Sequence, residues 1–159
     1  MRTALVILVP EVEPLIGELR RRYDVAGAMG APSHATLLFP FGDEEDGLEE
    51  LFASAEPFDY TLIGTAVFPD STLYLVPEPA EPFLRLIQML VARYPHYPPY
   101  GGTHGTIVPH VTVGESVPED ERRRVAAALP IGYRAESVAW LEEQADGRWA
   151  ERRRFALGG

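Results

Sequence analysis

One short motif stands twice, at matching places in a repeated series of elements: His34-Ala35-Thr36-Leu37 and His110-Val111-Thr112-Val113. Each lies in a run of apolar and β-branched residues of strand character. From His34 to the turn residue Asp70, and from His110 to the turn residue Asp146, the separation is the same 36 residues. A continuous apolar run predicts a strand over 4–9, and Pro10 opens a helix to about residue 23, with Val12, Leu15, Ile16, Leu19 and Tyr23 at helical spacing. Its acids, Glu11 and Glu13, come first and Arg20, Arg21 and Arg22 last, as the helix dipole favours. A loop over 26–33 leads to a strand at 33–39, a short helix at 43–55, and strands at 58–68 and 72–76 around a turn. A helix follows from Pro82 to about residue 94, then a loop over 94–105 rich in Pro, Gly, Tyr and His. The chain continues as a strand at 109–113, a helix at 118–129, and a hairpin of 133–141 with 149–157 around Asp146-Gly147.

The order predicts an α+β fold of two duplicated β-α-β-α-β units, one domain over 1–159. Its lobes are read as roughly 1–70 and 71–159, with exchange of strands between them allowed.

Residues two apart on a strand share a face. His34 and Thr36 therefore share one face, opposite Ala35 and Leu37, and His110 and Thr112 share another, opposite Val111 and Val113. Related by a pseudo-two-fold, the polar faces would bring two imidazoles and two hydroxyls to one point. Such a set suits phosphoester chemistry without a metal. A neutral imidazole takes a proton from the attacking oxygen, a protonated one gives a proton to the departing oxygen, and hydroxyls steady the phosphate. The plainer alternative is that each His is a polar residue on the exposed side of a half-buried strand. A third match, His104-Gly105-Thr106, sits in the Gly-rich loop, and His104 is read as a decoy or a residue of the cleft rim. Two His on separate strands, without Cys or a nearby carboxylate pair, make a poor metal set, so no metal and no cofactor are expected.

Composition narrows the partners. Acidic residues number 24 against 14 basic ones, for a net charge of −10, and every basic residue is Arg. That balance disfavours duplex DNA and long RNA, which are held by a surplus of cations. With no Cys, disulfides and a thiol nucleophile are excluded. The apolar run at 4–9 is too brief for an export signal, and no stretch approaches the roughly 20 apolar residues that span a bilayer. A cytoplasmic monomer without membrane contact is expected.

At the two motifs the sequence resembles the 2H phosphoesterase superfamily, which includes proteins named 2'-5' RNA ligase. The surroundings Pro32-Ser33-His34-Ala35-Thr36-Leu37-Leu38-Phe39-Pro40-Phe41 and Pro109-His110-Val111-Thr112-Val113 are similar to the family's, as is a late strand, turn, Trp149 and closing strand through Phe155. The resemblance implies a bilobal fold, two antiparallel-rich sheets around a central cleft with helices outside. It implies metal-free opening of cyclic phosphodiesters, of the 2',3'-cyclic nucleotide or RNA-end type, with 2'-5' ligation in some members. By motif match His34 and His110 would be acid and base, in an order left open, and Thr36 and Thr112 the phosphate ligands. Gly114 and Glu115 stand where RNA-acting relatives often place a basic residue. A small cyclic phosphate or nucleotide is thus favoured over ligation of long RNA. The rival reading is a catalytically silent module that binds nucleotides or RNA ends.

Phe41, Tyr97 and Tyr100 lie beside the motifs, where they would either stack on a base or pack the loops down; Tyr74 is read equally as core. The Arg triplets at 20–22 and 122–124 are read as solvated helix faces. The triplet at 152–154 is read as able to send Arg152 or Arg154 toward the cleft.

Overall fold

A computed structural model describes residues 2–102 and 106–159. Its described strands form one antiparallel sheet: β1 (Thr3–Leu8), β2 (His34–Phe41), β3 (Phe58–Val67), β4 (Thr72–Glu78), β5 (Val111–Glu115), β6 (Ile131–Ala135), β7 (Ser137–Glu143) and β8 (Trp149–Ala156). The spatial order is β6-β3-β4-β5-β2-β1-β7-β8. Two four-stranded halves therefore meet at β5 and β2, where the pairing consists of Ala35 opposite Val111. β3, early in the chain, joins the half made with β4, β5 and β6, while β7 and β8 join β1 and β2. The sheet halves are thus not contiguous in sequence.

After Thr3, β1 is apolar because it is buried on both faces, with β2 and β7 paired along its edges. Leu5 and Ile7 enter the main core, whereas Ala4 and Val6 form a smaller cluster with Ala139 and Leu141, bordered by Leu8, Phe39 and Trp149. The main core lies between the sheet and the helices α1 (Glu13–Tyr23), α3 (Leu48–Ala53), α4 (Glu81–Arg93) and α5 (Glu119–Ala127). α4 buries Phe83, Leu86, Ile87 and Leu90 along one face. α1 follows a 3-10 turn at Pro10–Val12, and the four-residue α2 (Val25–Ala28) folds back onto it. Gly27 permits that approach, since a Cβ there would lie 2.5 Å from the Arg20 carbonyl oxygen.

Two expectations are corrected here. Residues 133–141 are not one strand: the chain breaks at Glu136, so that β6 pairs with β3 at one end of the sheet and β7 with β1 near the other. The hairpin around Asp146-Gly147 is therefore β7–β8, with Gly147 at φ 87°, a conformation glycine adopts without strain. Arg20 is not on a solvated face. Four residues after Ile16, it continues the stripe of Val12, Ile16 and Leu19, and it is 2% exposed. Among the described residues no helix is long and apolar enough to cross a membrane.

Candidate active site at the seam of the sheet

Alternation along β2 and β5 decides what reaches the seam. Ala35, Leu37, Val111 and Val113 point into the main core, so His34, Thr36, His110 and Thr112 point to the other face, each half-buried. The antiparallel pairing of Ala35 with Val111, carried one residue each way, sets His34 across from Thr112 and Thr36 across from His110. Directly opposed residues have Cβ atoms roughly 5 Å apart. All four side chains therefore gather on one patch around a local two-fold axis.

The two imidazoles are anchored alike. His34 Nδ1–H donates to the Pro32 carbonyl at 2.6 Å, and His110 Nδ1–H donates to the Val108 carbonyl at 2.6 Å. A carbonyl only accepts, so each neutral ring carries its proton on Nδ1 and has Nε2 as its basic nitrogen. His34 has its pKa pushed down to about 4, first by burial, then by the positive charge of Arg20, with the charge on His110 adding and Glu13 opposing. That the rings sense each other's charge agrees with their shared patch.

Beside His110 lies a pocket of about 470 Å³ lined by Phe68, Pro69, Asp70, Thr72, Tyr100 and Thr106 to Val108. Phe68 stacks on Tyr74 at 4.1 Å, and His110 meets both rings edge-on, at 5.0 and 5.6 Å. Tyr100 bonds through its hydroxyl to the Thr36 side chain, and burial raises its phenol pKa. It sits at φ 52°, a left-handed conformation rarely taken by a residue with a Cβ.

Not all expected rim residues reach the site. Phe41, expected beside the cleft, is the last residue of β2 and is 2% exposed, enclosed by Tyr94, Tyr97 and Trp140. Tyr97 packs onto Phe41 at 4.8 Å and His96 at 4.3 Å, holding its loop down. Tyr100 lines the pocket, and His104 lies outside the described residues. Arg152 lies over Trp140 at 4.1 Å and pairs with Asp43 and Glu142, while Arg154 pairs with Glu151. Gly114 is buried against α1, where a Cβ would lie 2.5 Å from that of Tyr23, so no side chain projects from it toward substrate. Phe68 is a site residue that the sequence reading does not mark, and Tyr74, read equally as core, packs behind it against His110. The signal was Tyr74 between buried Leu73 and Leu75, with the Pro69-Asp70 turn returning Phe68 to the same face.

Among the described residues no three His, Cys, Asp or Glu side chains lie together as metal ligands would.

The fold matches that of the protein TT0787 of Thermus thermophilus, with a TM-score of 0.67 at 24% identity, covering 100% of this chain and 99% of that one. It also matches Escherichia coli LigT complexed with 3'-AMP, with a TM-score of 0.65 at 18% identity, covering 99% of this chain and 98% of that one. A protein of Geobacillus kaustophilus named "Putative phosphoesterase" is 26% identical over 100% of this chain and 98% of its own length. One of Bacillus pumilus with the same name is 26% identical over 96% of each. The 2'-5' RNA ligase superfamily model matches residues 8–147, and the chain belongs to that superfamily of phosphoesterases and RNA ligases.

Proposed function

We propose that this chain is a metal-free phosphoesterase that opens small cyclic phosphodiesters, of the 2',3'-cyclic nucleotide or RNA-end type, with His34 and His110 as the acid–base pair. The observation that carries the reading is the pairing of Ala35 with Val111, which turns both His-x-Thr segments to one patch. In the reaction, one imidazole Nε2 takes a proton from water as its oxygen bonds to phosphorus. The bond from phosphorus to one ribose oxygen breaks, and the other imidazolium protonates that oxygen, leaving a phosphomonoester. Thr36 and Thr112 donate hydrogen bonds to the non-bridging oxygens, where charge gathers in the transition state. Tyr100, bonded to Thr36, holds that hydroxyl in place.

A nucleotide substrate is favoured by the aromatic wall of Phe68 beside His110, and by the 3'-AMP named in the complex of the structurally similar LigT. The net charge of −10 favours a small substrate over long RNA. The test is incubation with 2',3'-cyclic AMP in excess chelator, with products followed by phosphorus NMR. Turnover to a single monophosphate isomer is expected, lost in His34→Ala and in His110→Ala. Binding without turnover would instead identify a silent nucleotide-binding module, and turnover only with an added divalent ion would overturn the metal-free assignment.

A further inference from the structure

The turn that carries Phe68 into β4 is held from several sides. The Phe68 backbone N–H donates to the Thr72 carbonyl at 2.9 Å, and the Ser71 N–H donates back to the Phe68 carbonyl at 2.9 Å. The Ser71 carbonyl receives the Ser116 N–H at 3.0 Å, which ties the turn to the residue that follows β5. Inside the turn, the Thr72 N–H donates to Asp70 Oδ1 at 3.0 Å, a local bond by which Asp stiffens a turn. Asp70 is thus an exposed residue on a fixed backbone, with one carboxylate oxygen anchored.

That carboxylate stands in the wall of the pocket of about 470 Å³ beside His110, next to Phe68. Neither the proton transfers nor the phosphate contacts proposed above use it. Among the described residues lining the pocket it is the one acid, and no Arg is present to meet a second phosphate. Pro69, Ile107 and Val108 add apolar wall to the Phe68 ring. A group seated here is flat, apolar on its faces, and meets an anionic acceptor at its edge.

A carboxylate only accepts hydrogen bonds, several at once through its two oxygens, so it selects an edge made of donors. Guanine offers two adjacent donors, N1–H and the 2-amino group, spaced to meet one carboxylate. Adenine and cytosine set a single amino group beside a ring acceptor, and uracil sets one N–H between two carbonyls. We infer that Asp70 is a specificity-determining residue that reads the edge of a guanine stacked on Phe68, so that the preferred substrate is guanosine 2',3'-cyclic phosphate. This inference rests on the reaction proposed above and adds the identity of the base, which that reaction leaves open. The turn by itself does not require a charge here, since Asn would accept the Thr72 N–H as well. What Asn lacks is a second oxygen to face the base.

The experiment measures kcat/KM for the 2',3'-cyclic phosphates of guanosine, inosine, adenosine and uridine, in the parent chain and in Asp70→Asn. The parent should prefer guanosine over adenosine by roughly 5- to 100-fold, the discrimination of one good bidentate pair. Inosine, which keeps N1–H but lacks the 2-amino group, should fall between them. In Asp70→Asn the guanosine-to-adenosine ratio should drop toward one. A parent that treats the two alike, or prefers uridine, overturns the inference. So does a preference that persists in Asp70→Asn, which would assign it to stacking on Phe68. The inosine comparison uses the parent alone and decides if Asp70→Asn does not fold: inosine equal to guanosine overturns the bidentate contact. Binding of guanosine and adenosine 3'-monophosphates, followed by NMR, needs no turnover. A parent that opens no cyclic phosphate yet binds the guanosine compound more tightly loses the proposed reaction and keeps the base reading, whereas equal affinities overturn the base reading.

Discussion

Ala35 of β2 and Val111 of β5 face each other across the seam of the sheet, both fully buried, and join its two four-stranded halves. Each lies between the His and Thr of its own motif, so the spacing of the four polar groups is set by how closely these two backbones approach. Enlarging Ala35 should therefore disturb chemistry more than stability. For Ala35→Leu, overpacking is expected to cost about 1–3 kcal/mol in denaturant unfolding. A fall in kcat of roughly 100-fold is expected with it, since misplacement by about 1 Å is that damaging. A variant equally destabilised but fully active would show that the seam does not set the geometry.

The two imidazoles are expected to act as a unit. His34→Ala and His110→Ala should each lower single-turnover rates by about 10²–10⁴-fold. The double variant should be little worse than the poorer single one, because each proton transfer is useless without the other. Multiplying effects in the double variant would mean that the histidines contribute separately.

How far these relations can be read from the chain differs from residue to residue. The partition of His34 and Thr36 from Ala35 and Leu37 is legible because strand alternation is local. That β2 would meet β5 is a choice among partners that no local pattern encodes, and the repeated motif was the only hint. The break at Glu136 was hidden because apolar residues continue on both sides, and only pairing with β3 and β1 separates them. Arg20 stood at helical spacing from Ile16, yet its charge argued for solvent. Only the loop carbonyl and Asp24 explain its burial. The local pattern ends the second strand at 39, whereas β2 runs on through Pro40 to pair Phe41 with Thr3.

Phe68 offers its ring to the pocket while Tyr74 supports it from behind. Base stacking on an aromatic ring is worth about 1–3 kcal/mol. Phe68→Ala should thus raise KM for 2',3'-cyclic AMP roughly 5- to 100-fold with kcat nearly unchanged. A five-membered cyclic phosphate without a base should be processed equally by both proteins. If both substrates suffer alike, Phe68 supports His110 and not the base.

Acidification should weaken the fold through His34. Its pKa is about 4 in the folded chain against an ordinary 6.5, so the unfolded chain binds more protons between those values. The sign follows: stability is fully present above about pH 6.5 and drains away as the pH falls toward 4. Allowing for the ring's partial exposure, the loss is on the order of 1–3 kcal/mol. Carboxylates titrate in the same range, so the quantity to measure is the difference between the parent chain and His34→Gln in urea unfolding at pH 7 and pH 4. That difference should change by the stated amount, and a constant offset would refute the linkage.

Away from the site, Thr3 holds three strands in register. The Trp140 indole Nε1–H donates to Thr3 Oγ1 at 2.8 Å, and Thr3 Oγ1–H donates to the Gly42 carbonyl at 2.8 Å, linking β7, β1 and the end of β2. Thr3 is wholly buried, so a count of apolar area would favour Val there. Valine has nearly the same shape but leaves a buried N–H and a carbonyl without partners, each worth about 1–3 kcal/mol. Serine keeps both bonds and loses only a methyl, about 1 kcal/mol. Thr3→Val should therefore be the less stable of the two by about 1 kcal/mol or more in urea unfolding, with kcat/KM preserved in both. The reverse order would mean that water or a shifted loop satisfies the freed groups, and that the relay does not fix the end of β2.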